Sequence, residues 1–121
     1  MVRSRKVKDA GAHAQQNPVV GIWRGSAVAF GTAINEEYIF QPNLSFNQVT
    51  TYSMGGAIQR TGTYFVGPGP QSGTGLISLH TLTHSQGIML DGGIPFYFKG
   101  PNTLMMYQAA PADWIPYQRY G

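Results

Sequence analysis

Cysteine is missing from this chain of 121 residues. Its absence excludes a disulfide framework, a thiolate metal centre and a thiol nucleophile. Charge is scarce as well. Asp, Glu, Lys and Arg together make up 11% of the residues, against about 25% in an ordinary globular chain. No apolar run approaches the roughly 18 residues of a membrane-crossing helix, so no membrane span is expected. No window shows the i, i+3, i+4, i+7 apolar spacing of an amphipathic helix.

What is abundant points to strands. The chain has 16 glycines, 8 prolines, 7 tyrosines and 6 phenylalanines, a composition of short strands and tight turns. Turn signals recur at Gly31-Thr32, Pro42-Asn43, Gly55-Gly56, 67–75, 85–93, 100–102 and 109–112. The Gly55-Gly56 pair suits a two-residue primed hairpin turn. Between these breaks the pattern predicts eight strands, over 19–30, 34–41, 44–54, 57–66, 75–84, 94–99, 103–108 and 113–120. Several alternate with period two, as half-buried strands do. Eight sequential strands joined by short turns predict an all-β, antiparallel up-and-down barrel over residues 17–121, because closure removes the exposed sheet edges. A two-sheet β-sandwich is the alternative.

The net charge of +3 is localised. Arg3, Arg5, Lys6 and Lys8 lie in a basic stretch at residues 1–16, read as a flexible tail. The later basic residues Arg24, Arg60, Lys99 and Arg119 are balanced by Glu36, Glu37, Asp91 and Asp113. No basic stripe interleaved with aromatics crosses the body, so no nucleic-acid partner is expected. "AGAHA" followed by "QQNP" has the small-x-small pattern of a signal-peptidase site ending at Ala14, without the preceding apolar stretch. The expected location is periplasmic or secreted, with the cytoplasm as alternative.

"VVGIWRG", then "YIFQPNLSF", then "RTGTYFVG" carry a recurring pattern over residues 18–84. It resembles that of small bacterial lipocalin-like proteins of the calycin group. The resemblance implies that Trp23 packs at the closed end of the barrel, with Arg119 from the last strand lying across it. First and last strands are neighbours in a closed meander, and a guanidinium stacks favourably on an indole face. The Thr-Asp-Tyr motif of lipocalins is missing, as are a disulfide, a C-terminal helix and a recognisable biotin-binding set.

If Trp23 points inward, so do Ala27 and Ala29. Tyr38, Phe40, Phe46, Tyr64, Phe96 and Phe98 then line an apolar pocket or fill a solid core. An eight-stranded barrel is just wide enough for either. His80 and His84 stand about 13 Å apart along a strand, too far to share a metal; a cavity-facing His80 would join the pocket. Glu36 and Glu37 are adjacent, so a strand sends them to opposite faces and they cannot act as an acid–base pair. There is no Gly-x-Ser-x-Gly elbow, and the prolines of "GPGPQSG" lack the N–H groups of a phosphate loop. No catalytic residue, metal or cofactor is assigned. The expected function is non-catalytic binding of a small apolar or aromatic ligand in the barrel. The alternative is a filled barrel acting on other proteins, or forming a homo-oligomer, through loops and outer aromatics such as Trp114. An enzyme using the barrel mouth is the third reading.

Overall fold

The computed structural model describes residues 17–89, 91–109 and 111–121; the basic stretch at 1–16 and its small-x-small site lie outside the described residues. Eight strands follow one another: β1 (Gly21–Ala29), β2 (Thr32–Phe40), β3 (Ser45–Tyr52), β4 (Ala57–Pro68), β5 (Gly75–His84), β6 (Gly92–Phe98), β7 (Thr103–Gln108) and β8 (Asp113–Arg119). Each pairs antiparallel with the next, and β8 returns to β1, so the sheet closes into a barrel rather than a sandwich. The strand spans match the period-two segments of the sequence to within a few residues.

Antiparallel order divides the turns between two ends. The β1–β2, β3–β4, β5–β6 and β7–β8 connections ring one end, here the mouth. The other three connections and both chain ends gather at the base. The β1–β2 turn is a two-residue loop in which Phe30 and Gly31 both have positive φ (53° and 75°), between the paired Ala29 and Thr32. At the β3–β4 turn the expected two-residue loop is replaced by a longer one. Gly55 and Gly56 do take positive φ (105° and 95°), but Ser53 and Met54 join the loop and the Tyr52 amide donates to the Gly56 carbonyl. At the base, Pro42-Asn43 form a turn closed by Leu44 N–H to Gln41 O at 3.1 Å.

The closing seam is short. Only Trp23↔Arg119 and Arg24↔Gln118 pair in register between β1 and β8, and the bonds Ile22 N–H to Gly121 O and Tyr120 N–H to Ile22 O extend it towards the base. Higher up, the Tyr117 ring fills the space beside Gly25. A Cβ there would stand 2.7 Å from that ring, so only glycine lets β1 pass so close.

A β-bulge marks β4–β5, where the register shifts between Thr61 and Gly62 and Leu82 is passed over. A Cβ built on Gly62 runs into the backbone carbonyl oxygen of His80. Backbone cannot yield as a side-chain tip can. Gly62→Ala should therefore cost about 3 kcal/mol in urea unfolding, at the upper end for overpacking. A loss under about 1 kcal/mol would mean that the bulge relaxes around a methyl group.

Candidate functional site

The barrel interior has two chemically different halves. The lower half is apolar and filled. Trp23 is fully buried, with its indole N–H donating to the Val19 carbonyl at 2.8 Å. The Arg119 guanidinium lies 4.3 Å from the Trp23 ring centroid. Its Nη1 and Nη2 donate to the carbonyls of Val20 (2.9 Å) and Pro18 (3.2 Å). Residues 18–20 are thereby strapped across the base, and buried Val19 stoppers it. Above this plug Phe40 packs on Tyr64 (centroids 4.9 Å), Phe98 on Trp23 (6.0 Å) and Phe96 on Phe98 (5.8 Å).

The upper half is polar, and its side chains form one connected row. Glu36 accepts the Tyr117 hydroxyl at 2.5 Å on one carboxylate oxygen. Its other oxygen accepts Gln48 Nε2 (3.1 Å) and the Thr50 hydroxyl (3.3 Å). Gln48 in turn accepts Arg60 Nε at 2.7 Å. On the other flank, the Gln108 amide donates to the hydroxyls of Tyr117 (3.1 Å) and Tyr38 (3.3 Å). Carboxylate and guanidinium thus face the same interior, held apart by one glutamine. No carboxylate among the described residues makes an ion pair with Arg60. Burial pushes the Tyr117 phenol far above its ordinary range, and the neighbouring Tyr38 and Glu36 push it further. Tyr38 is raised in the same way, by burial first and then by Glu36. Both phenols therefore stay protonated and act as hydrogen-bond groups, not as phenolates.

One interior group lacks a partner among the described residues. Thr81, on β5, is 4% exposed, and its hydroxyl makes no hydrogen bond to any described residue. Thr81 sits at the bulge, opposite Gly62. A buried hydroxyl without a partner forgoes about 1–3 kcal/mol, so it is an uncommon feature of a purely structural core.

The structure sorts the predicted site residues. Tyr38 reaches the polar row. Phe40, Phe46, Tyr64 and Phe96 are buried, and Phe98 is partly so, in the filled core. The Tyr64 hydroxyl is spent on the Gln41 carbonyl (2.8 Å) at the base. His80 does not join them. It lies on the outer wall, where its Nδ1 meets both Asp91 oxygens at 3.0 Å. The alternation of β5 is the reason, since Leu79 and Thr81 occupy the inward positions on either side of it. Hydrogen bonds from His80 and from the Thr81 N–H hold the Asp91 carboxyl below the ordinary range. Glu36 and Glu37 do part to opposite faces, Glu37 pairing outside with Arg24 at 2.7 Å.

Glu36, Gln48, Thr50, Arg60, Thr81, Gln108 and Tyr117 were not singled out by the sequence reading as site residues. The signal that reaches them is the period of two continued beyond the aromatics. Glu36 is two before Tyr38, Gln48 and Thr50 are two and four after Phe46, and Arg60 is four before Tyr64.

The three clefts described open on the outer wall. The largest, about 650 Å³, lies over β8, β1, β2 and β3 among Arg24, Ser26, Glu37, Gln118 and Tyr120. A second, about 410 Å³, lies beside His80, Asp91 and Phe65. A third, about 310 Å³, borders Pro70, Pro95, Tyr107 and Trp114. Trp114 packs edge-on against Tyr97 (5.0 Å) and Tyr107 (5.5 Å) outside the barrel. Among the described residues no cluster of His, Asp and Glu is arranged to hold a metal ion, and no helix is long and apolar enough to cross a membrane. Comparison with protein-family models, with curated proteins and with solved structures returns no match.

Proposed function

We propose that this chain is a non-catalytic binding barrel of the small bacterial lipocalin-like, calycin type, acting in the periplasm or outside the cell. It takes a small ligand with an aromatic or apolar body at its mouth, and the polar row orients that ligand. The observation that carries this reading is the buried Thr81 hydroxyl, without a partner among the described residues, in an interior that also holds the Glu36 carboxylate and an Arg60 guanidinium with no described carboxylate partner. A barrel built only to be solid has no use for these groups, because apolar residues of similar size would fill the space without a desolvation cost. Sites of this kind combine an apolar wall with a few convergent polar groups.

Thr81→Val supplies the test. Removing an unsatisfied hydroxyl should leave stability unchanged or raise it by about 1 kcal/mol. Native mass spectrometry of the chain purified from its own source should show a retained small molecule, and the valine variant should retain several-fold less. A chain without bound mass, together with a valine variant destabilised by more than about 1 kcal/mol, would assign Thr81 to the core alone.

The clustering of Trp114 with Tyr97 and Tyr107 outside the barrel favours a second reading, a module that meets another protein or a second copy through this face. Aromatic side chains of this type are enriched at interface centres. Under that reading Trp114→Ala abolishes a dimer seen by sedimentation velocity, whereas a monomeric parent chain removes the homo-oligomer.

A further inference from the structure

The rim of the mouth has a chemistry of its own, separate from the polar row inside it. Phe30, at the tip of the β1–β2 turn, is 94% exposed, and Met54, at the tip of the β3–β4 turn, is 83% exposed. Ile88 and Met89 stand about half exposed on the β5–β6 loop. The β7–β8 turn adds Ala109, Pro111 and Ala112, all exposed. Every connection at this end therefore presents apolar side chains to solvent. The described residues of these connections (30–31, 53–56, 85–89, 91, 109, 111 and 112) carry one charged side chain, Asp91, which pairs with His80 on the outer wall. The turns at the base add polar side chains, exposing Gln41, Asn43, Gln71, Lys99 and Asn102 beside Pro42, Leu44, Pro70 and Pro101.

Phe30 carries the argument furthest. Its φ is +53°, in a two-residue loop whose second residue, Gly31, is also left-handed. That loop favours Asn, Asp or Gly at its first position, and a bulky residue at positive φ is an outlier. Phe30 therefore raises the energy of the turn, and among the described residues it packs against no other aromatic ring. Neither burial nor turn geometry explains a phenylalanine here, whereas an external apolar contact does.

We propose that the rim docks the barrel, mouth first, onto the surface of a lipid bilayer, with Phe30, Met54, Ile88 and Met89 inserted among the acyl chains. The side chains protrude from three separate turns around a polar opening. A protein partner needs a continuous packed patch of about 800 Å²; separate tips suit a medium that deforms around each of them. The described residues of the rim include no Lys or Arg, and this sets the character of the contact. Insertion drives it, not attraction to anionic headgroups, so neutral lipid suffices and salt has little effect. The inference does not depend on a ligand in the barrel, since it rests on the turns and not on the row beneath them.

Flotation of the full chain with phosphatidylcholine vesicles tests this, in about 0.5 M salt so that the basic residues at 3–8 are screened. The parent chain should float with the vesicles. Phe30→Asn should reduce vesicle binding about tenfold, the effect of one aromatic side chain left out of the lipid. The same variant should melt no lower than the parent, because Asn-Gly is the preferred pair for this turn. Met54→Ser, in a glycine-containing loop, should weaken binding in the same direction. A parent chain that stays with the unbound protein overturns the proposal, and so do Phe30→Asn and Met54→Ser variants that float as well as the parent. A vesicle-free dimer that Phe30→Asn converts to monomer overturns it too, and assigns the rim to contact between two copies.

Discussion

Trp23→Ala lowers the stability of the barrel by about 3 to 5 kcal/mol, the range of large aromatic truncations in a core. The expectation follows from three roles that end together. The ring is fully buried, its N–H holds the Val19 carbonyl, and its face supports Arg119. Without the ring, Arg119 loses its stacking surface, and the carbonyls of Pro18 and Val20 lose a donor held in place. The seam suffers most, because Trp23↔Arg119 is half of its short register. In thermal unfolding this corresponds to a fall of more than about 12 °C for a domain of this size. Arg119→Met separates the contributions. It keeps a flexible apolar cover for the ring while removing the guanidinium donors, and should cost about 1 to 2 kcal/mol. A Trp23→Ala loss below about 1 kcal/mol would place the closure of the base elsewhere.

The fold was legible because its signals are local. Turn residues mark where the chain reverses, and strands of period two mark which side faces in. Closure followed from edge chemistry, and with closure the meeting of the first and last strands. Turn length was less legible, as at 53–56, where two glycines fitted a tight turn and the chain built a wider one. The number of residues in a hairpin depends on the register of the flanking strands, and Thr51↔Ala57 sets it here. The bulge at Gly62 was invisible for the same reason. It is a relation between two strands, and it reads in β4 only as one more glycine.

The candidate site was harder to read, and the reason is physical. Aromatic residues announce themselves by composition, so Tyr38, Phe40, Phe46, Tyr64, Phe96 and Phe98 stood out; most of them fill the core. Polar residues on strands are ordinarily outside, so nothing in the sequence by itself singles out Gln48, Thr50 and Arg60. Their importance comes from partners far along the chain, such as Tyr117 for Glu36, 81 residues away. His80 shows the opposite case. A histidine attracts attention by type, but its place on β5 sends it to the outer wall beside Asp91.

Glu36→Leu is expected to be the most costly change in the polar row, at about 3 kcal/mol in urea unfolding. Hydrogen bonds to a charged group are worth about 1.5 to 3 kcal/mol, and a donor left unpaired inside the barrel adds to the loss. Leucine would strand the Tyr117 hydroxyl, which stays protonated because burial and its neighbours hold its pKa high. Gln48 would keep the Thr50 hydroxyl as an acceptor at 2.7 Å, so the damage falls mainly on β8. A cycle of Glu36→Gln with Tyr117→Phe isolates that pair. Its short, charge-assisted bond should give a coupling of about 1 to 3 kcal/mol. Coupling near zero would mean that water replaces each partner without loss, and that the row is solvated. The size of the coupling therefore measures how dry the upper half is, and a dry carboxylate and an arginine with no described carboxylate partner are what a small polar edge of a ligand would meet on entering the mouth.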